Sequence, residues 1–162
     1  MFDQVLCAQS VDVLQALRGA GLMVATAESC TGGLIAGALT EIAGSSDVVE
    51  RGFVTYSNEA KQECLGVPAD LIAGYGAVSE PVARAMAEGA VRHSRADIAV
   101  AVTGVAGPGG GSIEKPVGLV HVAVARKGAQ TLHQRLELGD IGRSEVRLAT
   151  IKAALDLIKA AI

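Results

Sequence analysis

Apolar residues recur at helical spacing between Val5 and Leu17, where Leu6, Val13, Leu14 and Leu17 share one side and Gly19 and Gly21 stop the run. Leu22 to Thr26 is short and uninterrupted, as in a buried strand. Thr31 to Ala43 reads as a helix opened by Gly32-Gly33 and closed at Gly44, and Arg51 to Tyr56 has the β-branched and aromatic content of a strand. Ser57 suits the N-cap of a helix over Asn58 to Leu65, and Ser79, with Glu80 and Pro81 behind it, starts another that runs towards His93. Ile98 to Thr103 is again strand-like. Leu119 to Arg126 and Gln130 to Leu138 flank Lys127-Gly128-Ala129 as a β-hairpin, and Ser144 is placed to cap a last helix over Glu145 to Ala161.

Helices between the early strands require parallel crossovers, whereas the late hairpin is antiparallel. The expected fold is α/β: a three-layer α/β/α sandwich on a mixed, mostly parallel sheet ending in an antiparallel hairpin. No repeat, low-complexity tract or linker divides the 162 residues, so residues 1–162 read as a single domain burying roughly 68% of its unfolded surface.

Composition narrows the function classes. Ala and Gly supply 48 of the 162 residues, and the only aromatics are Phe2, Phe53, Tyr56 and Tyr75. Small side chains let helices lie close to a sheet and backbone approach a ligand. A net charge of −3 with so few rings argues against nucleic acid as a partner. Apolar runs such as Ile98 to Val102 are far below the ~20 residues that span a bilayer, and the first residues lack a signal-peptide pattern. A cytoplasmic location follows as the expectation, with Cys7, Cys30 and Cys64 reduced.

Three segments carry candidate chemistry. Thr26-Ala27-Glu28-Ser29-Cys30-Thr31-Gly32-Gly33 runs from a strand through a turn into a helix, an arrangement that aims hydroxyls and unpaired amides at one point. The same residues could simply cap and pack the helix. Neither the P-loop nor the G-x-G-x-x-G pattern is present. Gly104 to Gly118 holds six glycines and two prolines after a strand's carboxyl end, where open α/β sheets bind ligands, and Lys115 adds a charge suited to phosphate; the alternative is a flexible surface loop. In Thr55-Tyr56-Ser57-Asn58-Glu59-Ala60-Lys61, Ser57 and Lys61 share a helical face. A lysine acts as a base once its pKa is brought from ~10.4 to about 7.5, which takes roughly 4 kcal/mol of desolvation or charge repulsion; a solvated Lys61 is the simpler alternative.

The remaining candidates are weaker. His93, His121 and His133 lack metal-ligand spacing, so no metal is expected, and His121 and His133 read as surface or half-buried positions on the hairpin. Cys30 has no histidine arranged to activate it and reads as an inert buried thiol. Arg143 and Arg147 both stand at the start of the last helix, where a cation opposes the dipole unless an anion compensates.

Taken together, AESCTGG at 27–33, AGSSDVVERGFVTYSNEAK at 43–61, GAVSEP at 76–81 and TGVAGPGGGSIEKPVG at 103–118 resemble the CinA C-terminal domain family, over nearly the whole chain from about residue 5. The stand-alone bacterial members of that family are nicotinamide mononucleotide deamidases of the PncC type. The resemblance implies hydrolysis of the carboxamide of nicotinamide mononucleotide to nicotinic acid mononucleotide and ammonia, in pyridine nucleotide salvage, without metal or other cofactor. Longer members also carry an N-terminal domain resembling molybdopterin-binding proteins, which this sequence does not contain.

On that reading Ser29 is the nucleophile, Lys61 its base, and Tyr56 orients or relays to Lys61. Amides near Thr31, Gly32 and Gly33 would face the oxyanion. Asn58, Thr103, Gly104, Gly107, Gly110, Ser112, Lys115, Arg143 and Arg147 would contact ribose and phosphate, with Arg143 and Arg147 both open as the phosphate arginine. A homodimer or higher homo-oligomer is expected. The alternatives are a non-catalytic module for a nucleotide-like anion or for dimerisation, and an amidase for a related amide.

Overall fold

The computed structural model describes residues 2–162. Its elements are α1 (Gln4–Ala20), β1 (Val24–Glu28), α2 (Leu34–Thr40), β2 (Val49–Val54), α3 (Asn58–Leu65), α4 (Ala69–Tyr75), α5 (Glu80–Arg92), β3 (Ile98–Gly104), β4 (Leu119–Arg126), β5 (Leu132–Glu137) and α6 (Arg143–Ala161). The strands form one sheet in the order β2-β1-β3-β4-β5. β1 pairs in parallel with β2 and β3, and β4 pairs antiparallel with β3 and β5, so β4 alone runs against the other four.

The alternation along the strands explains the layers. In β3, Ile98, Val100 and Val102 face a cluster with residues of α1, α2 and α6, while Ala99 and Ala101 face α3, α4 and α5. β4 repeats the division, with Val120, Val122 and Val124 on one side and Ala123 and Ala125 on the other. Branched side chains fill the wider gap, and alanines let α5 lie close. Gly89 of α5 meets α3 so tightly that a Cβ there would stand 2.1 Å from the Leu65 carbonyl oxygen. β1, β3 and β4 are buried on both faces, whereas β2 and β5 form the half-exposed edges.

Several boundaries differ from the sequence reading for local reasons. Gly32 and Gly33 have φ of 61° and 98°, outside the helical region, so α2 begins only at Leu34 and ends at Thr40. β1 and β2 sit two residues later and two earlier than expected, because their parallel ladders place Glu28 opposite both Val54 and Val102. The last strand is trimmed to Leu132–Glu137, and α1 extends through Ala20 to a left-handed Gly21. Ser144 lies inside α6, which starts from Gly142 at φ 97° without a side-chain cap. α4 was not anticipated; Pro68 starts it and Gly76 ends it. Among the described residues no helix is long and apolar enough to cross a membrane.

From β1 the chain crosses through α2 on the valine face to β2, and from β2 it crosses through α3, α4 and α5 on the alanine face to β3 on the other flank of β1. The connections therefore diverge at the carboxyl end of β1, leaving a crevice at Ser29 and the loop after β3. Ligands of open α/β sheets bind at such a switch point.

Candidate active site at the switch point

A cleft of about 290 Å³ opens at that crevice, lined among others by Ser29, Tyr56, Asn58, Lys61, Thr103, Gly104, Gly107, Gly110 and Arg143. Residues from three distant segments thus meet in one cavity. Ser29 follows β1 directly and donates its amide to the Val102 carbonyl at 3.1 Å, which extends the ladder to β3 and places the residue at the cleft beyond the carboxyl end of β1.

Lys61 is the largest polar side chain in the interior, 1% exposed. It is delivered by α3, whose N-cap Ser57 accepts the Ala60 amide at 3.0 Å. Its Nζ stands 3.1 Å from Ser29 Oγ, 2.9 Å from the Thr55 carbonyl and 3.5 Å from the Ser57 carbonyl. Burial holds the ammonium below the ordinary lysine range. Carbonyls only accept, so two N–H groups are directed at Thr55 and Ser57, and the remaining tetrahedral direction faces Ser29. In the neutral amine that direction is a lone pair able to take the Ser29 proton.

Tyr56 takes a different role from the one expected. Its hydroxyl lies 3.0 Å from Arg143 Nη2 and makes no hydrogen bond to Lys61, because the chain leaving β2 turns the Thr55 carbonyl inward and leaves the Tyr56 ring 61% exposed. Arg143 also donates to the Gly107 carbonyl at 2.8 Å, so one guanidinium ties the tyrosine to the glycine loop at the cleft wall. Arg147, one turn on, reaches the turn after Ser29 instead, where it donates to the Thr31 carbonyl at 2.9 Å. Arg143 therefore lines the cleft and Arg147 does not.

The expected oxyanion amides also change. The Gly32 amide donates to the Ser29 carbonyl at 3.0 Å and the Gly33 amide to the Glu28 carboxylate at 3.1 Å, so neither can serve a ligand. Among the described residues, the amides of Cys30 and Thr31 have no protein acceptor. Thr103 lines the cleft but donates its hydroxyl to the Ala77 carbonyl at 2.8 Å. Ser112 and Lys115 lie outside the lining: Ser112 Oγ accepts the Lys115 amide, and Lys115 Nζ donates to the Tyr75 carbonyl at the end of α4. These bonds shape the glycine loop and its seat on α4.

Glu28, the Thr55 and Ser57 carbonyls, and Ala77 and Val78, which complete the cleft, are not among the residues expected from sequence. Main-chain acceptors leave no trace in residue identity, but a glutamate closing a strand whose other residues are apolar or small was a visible signal. Burial pushes the Cys30 thiol up to about 11, keeping it protonated near neutrality. His121 and His133, expected as surface or half-buried positions on the hairpin, meet with Nδ1 and Nε2 3.0 Å apart. Their ring planes differ by only 21° and their centroids are 5.2 Å apart, so the rings lie edge to edge and share one hydrogen bond. Among the described residues no three His, Cys, Asp or Glu side chains converge as a metal site.

Known proteins share this architecture. The crystal structure of the competence/damage inducible protein CihA from Agrobacterium tumefaciens superposes with a TM-score of 0.97 at 56% identity, covering 99% of this chain and 97% of that one. A CinA superfamily protein from Escherichia coli matches with a TM-score of 0.91 at 32% identity, over 99% and 94% of the two chains. A CinA-like protein of Anaeromyxobacter sp. is 51% identical over 150 residues, which is 93% of this chain and 36% of the relative. A protein of Symbiobacterium thermophilum named as a putative competence-damage inducible protein is 57% identical over 79% of this chain and 30% of its own length. The chain thus spans about a third of these longer relatives. Residues 8–162 match the family described as CinA C-terminal domain, and with the fold and the near-complete coverage of solved relatives the chain belongs to the CinA C-terminal domain family.

Proposed function

We propose that the chain is a metal-independent amidohydrolase that converts nicotinamide mononucleotide to nicotinic acid mononucleotide and ammonia, with Ser29 as nucleophile and Lys61 as base. The observation that carries this reading is the 3.1 Å contact between Ser29 Oγ and a buried lysine whose pKa is lowered, inside a cleft. A solvated lysine on a binding module has no need of that desolvation.

In this mechanism Ser29 Oγ bonds to the carboxamide carbon while its proton passes to Lys61 Nζ. The carbonyl oxygen gains the negative charge and is met by the unpaired amides of Cys30 and Thr31. As the intermediate collapses, the C–N bond breaks and Lys61 returns the proton to the departing nitrogen, which leaves as ammonia. Water then attacks the acyl ester while Lys61 accepts its proton; the bond from the acyl carbon to Ser29 Oγ breaks, Lys61 returns the proton to Oγ, and the free acid is released. Arg143 supplies the cation for the phosphate, and the glycine backbone from Gly104 to Gly110 lets the nucleotide lie close to the carboxyl ends of β1 and β3.

The test is ammonia release from nicotinamide mononucleotide by the pure protein. Release by the wild type and its loss in Ser29→Ala supports the reading; no release by the wild type ends it. Activity in Ser29→Ala equal to wild type would end the serine mechanism alone.

A further inference from the structure

We infer that Glu28 is a positioning residue for the nucleophile, an inference that rests on the Ser29 mechanism above. Glu28 is fully buried and stands immediately before Ser29. Its Oε2 accepts the Thr31 hydroxyl at 2.6 Å, the Gly33 amide at 3.1 Å and the Ile35 amide at 2.9 Å, and its Oε1 accepts the Ala36 amide at 2.8 Å. α2 has Gly33 at its N-cap with no side-chain bond of its own, so the carboxylate of a residue outside the helix satisfies amides that a Ser or Asp cap would otherwise take.

The backbone of Glu28 is anchored as firmly. It lies opposite Val54 and Val102, its carbonyl accepts the Thr55 amide at 2.9 Å, and the next amide, that of Ser29, bonds to Val102. One residue therefore ties the end of β1 to the first turn of α2, and Ser29, Cys30 and Thr31 form the short bridge between its two grips. The grip also decides which amides are engaged. With Gly33 bonded to Glu28 and Gly32 to Ser29, the amides of the turn left without a protein acceptor are those of Cys30 and Thr31, the two residues after Ser29. Thr31 is held twice, its side-chain hydroxyl on Glu28 and its carbonyl on Arg147.

Simple helix capping requires only that the helix form. A grip that also sets the nucleophile and oxyanion donors predicts that small errors in the turn slow the chemistry without weakening binding, since misplacing reacting groups by about 1 Å can cost on the order of 100-fold. Glu28→Gln is the sharpest probe: it keeps the volume, but both carboxylate oxygens receive N–H groups, so the new NH₂ must face a donor.

The experiment compares wild type and Glu28→Gln by thermal melting, by kcat and KM for nicotinamide mononucleotide, and by the rate at which phenylmethanesulfonyl fluoride modifies Ser29. The expected result is a cooperative melt, kcat lowered at least tenfold, KM within threefold, and slower modification. Wild-type kcat and modification rate in Glu28→Gln, or losses matched by a loss of folded protein, overturn the proposal. Should Glu28→Gln not fold, Thr31→Val withdraws only the hydroxyl donor, and the same split at several-fold is expected; an unchanged kcat there overturns the proposal. Modification of Ser29 needs no nucleotide: if neither protein releases ammonia yet Glu28→Gln still slows modification, the amidase reading falls and the positioning role stands.

Discussion

Lys61 Nζ stands 3.1 Å from Ser29 Oγ across 32 residues of chain, and the lysine is almost wholly withdrawn from water. Because burial lowers its pKa, the neutral amine forms at lower pH than for a solvated lysine. Activity should therefore rise with pH as Lys61 deprotonates and then level off, with the midpoint below the ordinary lysine value of 10.5. A pH profile of kcat for ammonia release checks this; a rise centred at or above 10.5 would contradict it.

On the proposed mechanism, replacing Lys61 should be severe. Lys61→Met keeps the length and apolar stem but removes proton transfer, and loss of a general base typically slows a reaction by about 10²–10⁴-fold. Lys61→Arg should do no better, since a guanidinium stays charged and cannot accept the Ser29 proton. Steady-state kinetics on both variants, with melting curves to establish folding, reads the outcome.

Tyr56→Phe removes the hydroxyl bonded to Arg143 and leaves the Lys61 contacts alone. We expect KM for nicotinamide mononucleotide to rise a few-fold with kcat within about twofold, and stability within about 0.5 kcal/mol of wild type because the ring is exposed. A large fall in kcat at constant KM would return Tyr56 to the proton path.

The close approach of α5 to α3 makes Gly89→Ala destabilising despite the better helix propensity of alanine. Propensity favours the change by about 1 kcal/mol, but the new Cβ would stand 2.1 Å from a backbone oxygen, and overpacking costs about 1–3 kcal/mol or more. Urea denaturation should show a lower midpoint; a higher one would mean that the helices separate easily.

The His121–His133 contact predicts acid sensitivity. Burial foremost, and then the His133 charge, lower the His121 pKa from 6.5 to about 4; burial lowers that of His133 too, with Glu80 opposing through its carboxylate 3.5 Å from Nδ1. Unfolded histidines take up protons below pH 6.5 while folded His121 resists until about 4, so stability falls as pH falls through that window. The loss reaches on the order of 3 kcal/mol for His121. Denaturation midpoints at pH 7 and 4.5 should differ less in His121→Gln than in wild type.

Local pattern carried most of the elements and pointed to three segments whose residues meet at the cleft. Gly32-Gly33 and Gly104 to Gly111 stand out because turn chemistry is visible in one dimension, and Lys61 because its spacing from Ser57 puts the two on one helical face. Residues acting through main-chain atoms or distant partners were not visible. Glu28 receives donors from residues up to eight positions on, and the carbonyls of Thr55 and Ser57 look like any others in a sequence. Arg143 and Arg147 carry identical chemistry four residues apart, and no local rule separates them.

By itself, then, the sequence determined the alternation of valine and alanine that makes two unlike faces, the helices and strands, and the glycine-rich turns at the strand ends, because each depends on neighbours within a few residues. Only the tertiary structure decided that Lys61 meets Ser29, that Tyr56 holds Arg143, that the Gly32 and Gly33 amides are engaged and that two histidines share a hydrogen bond. Those pairings depend on strand order and on the packing distance of α5, which bring together atoms that sequence separation keeps far apart.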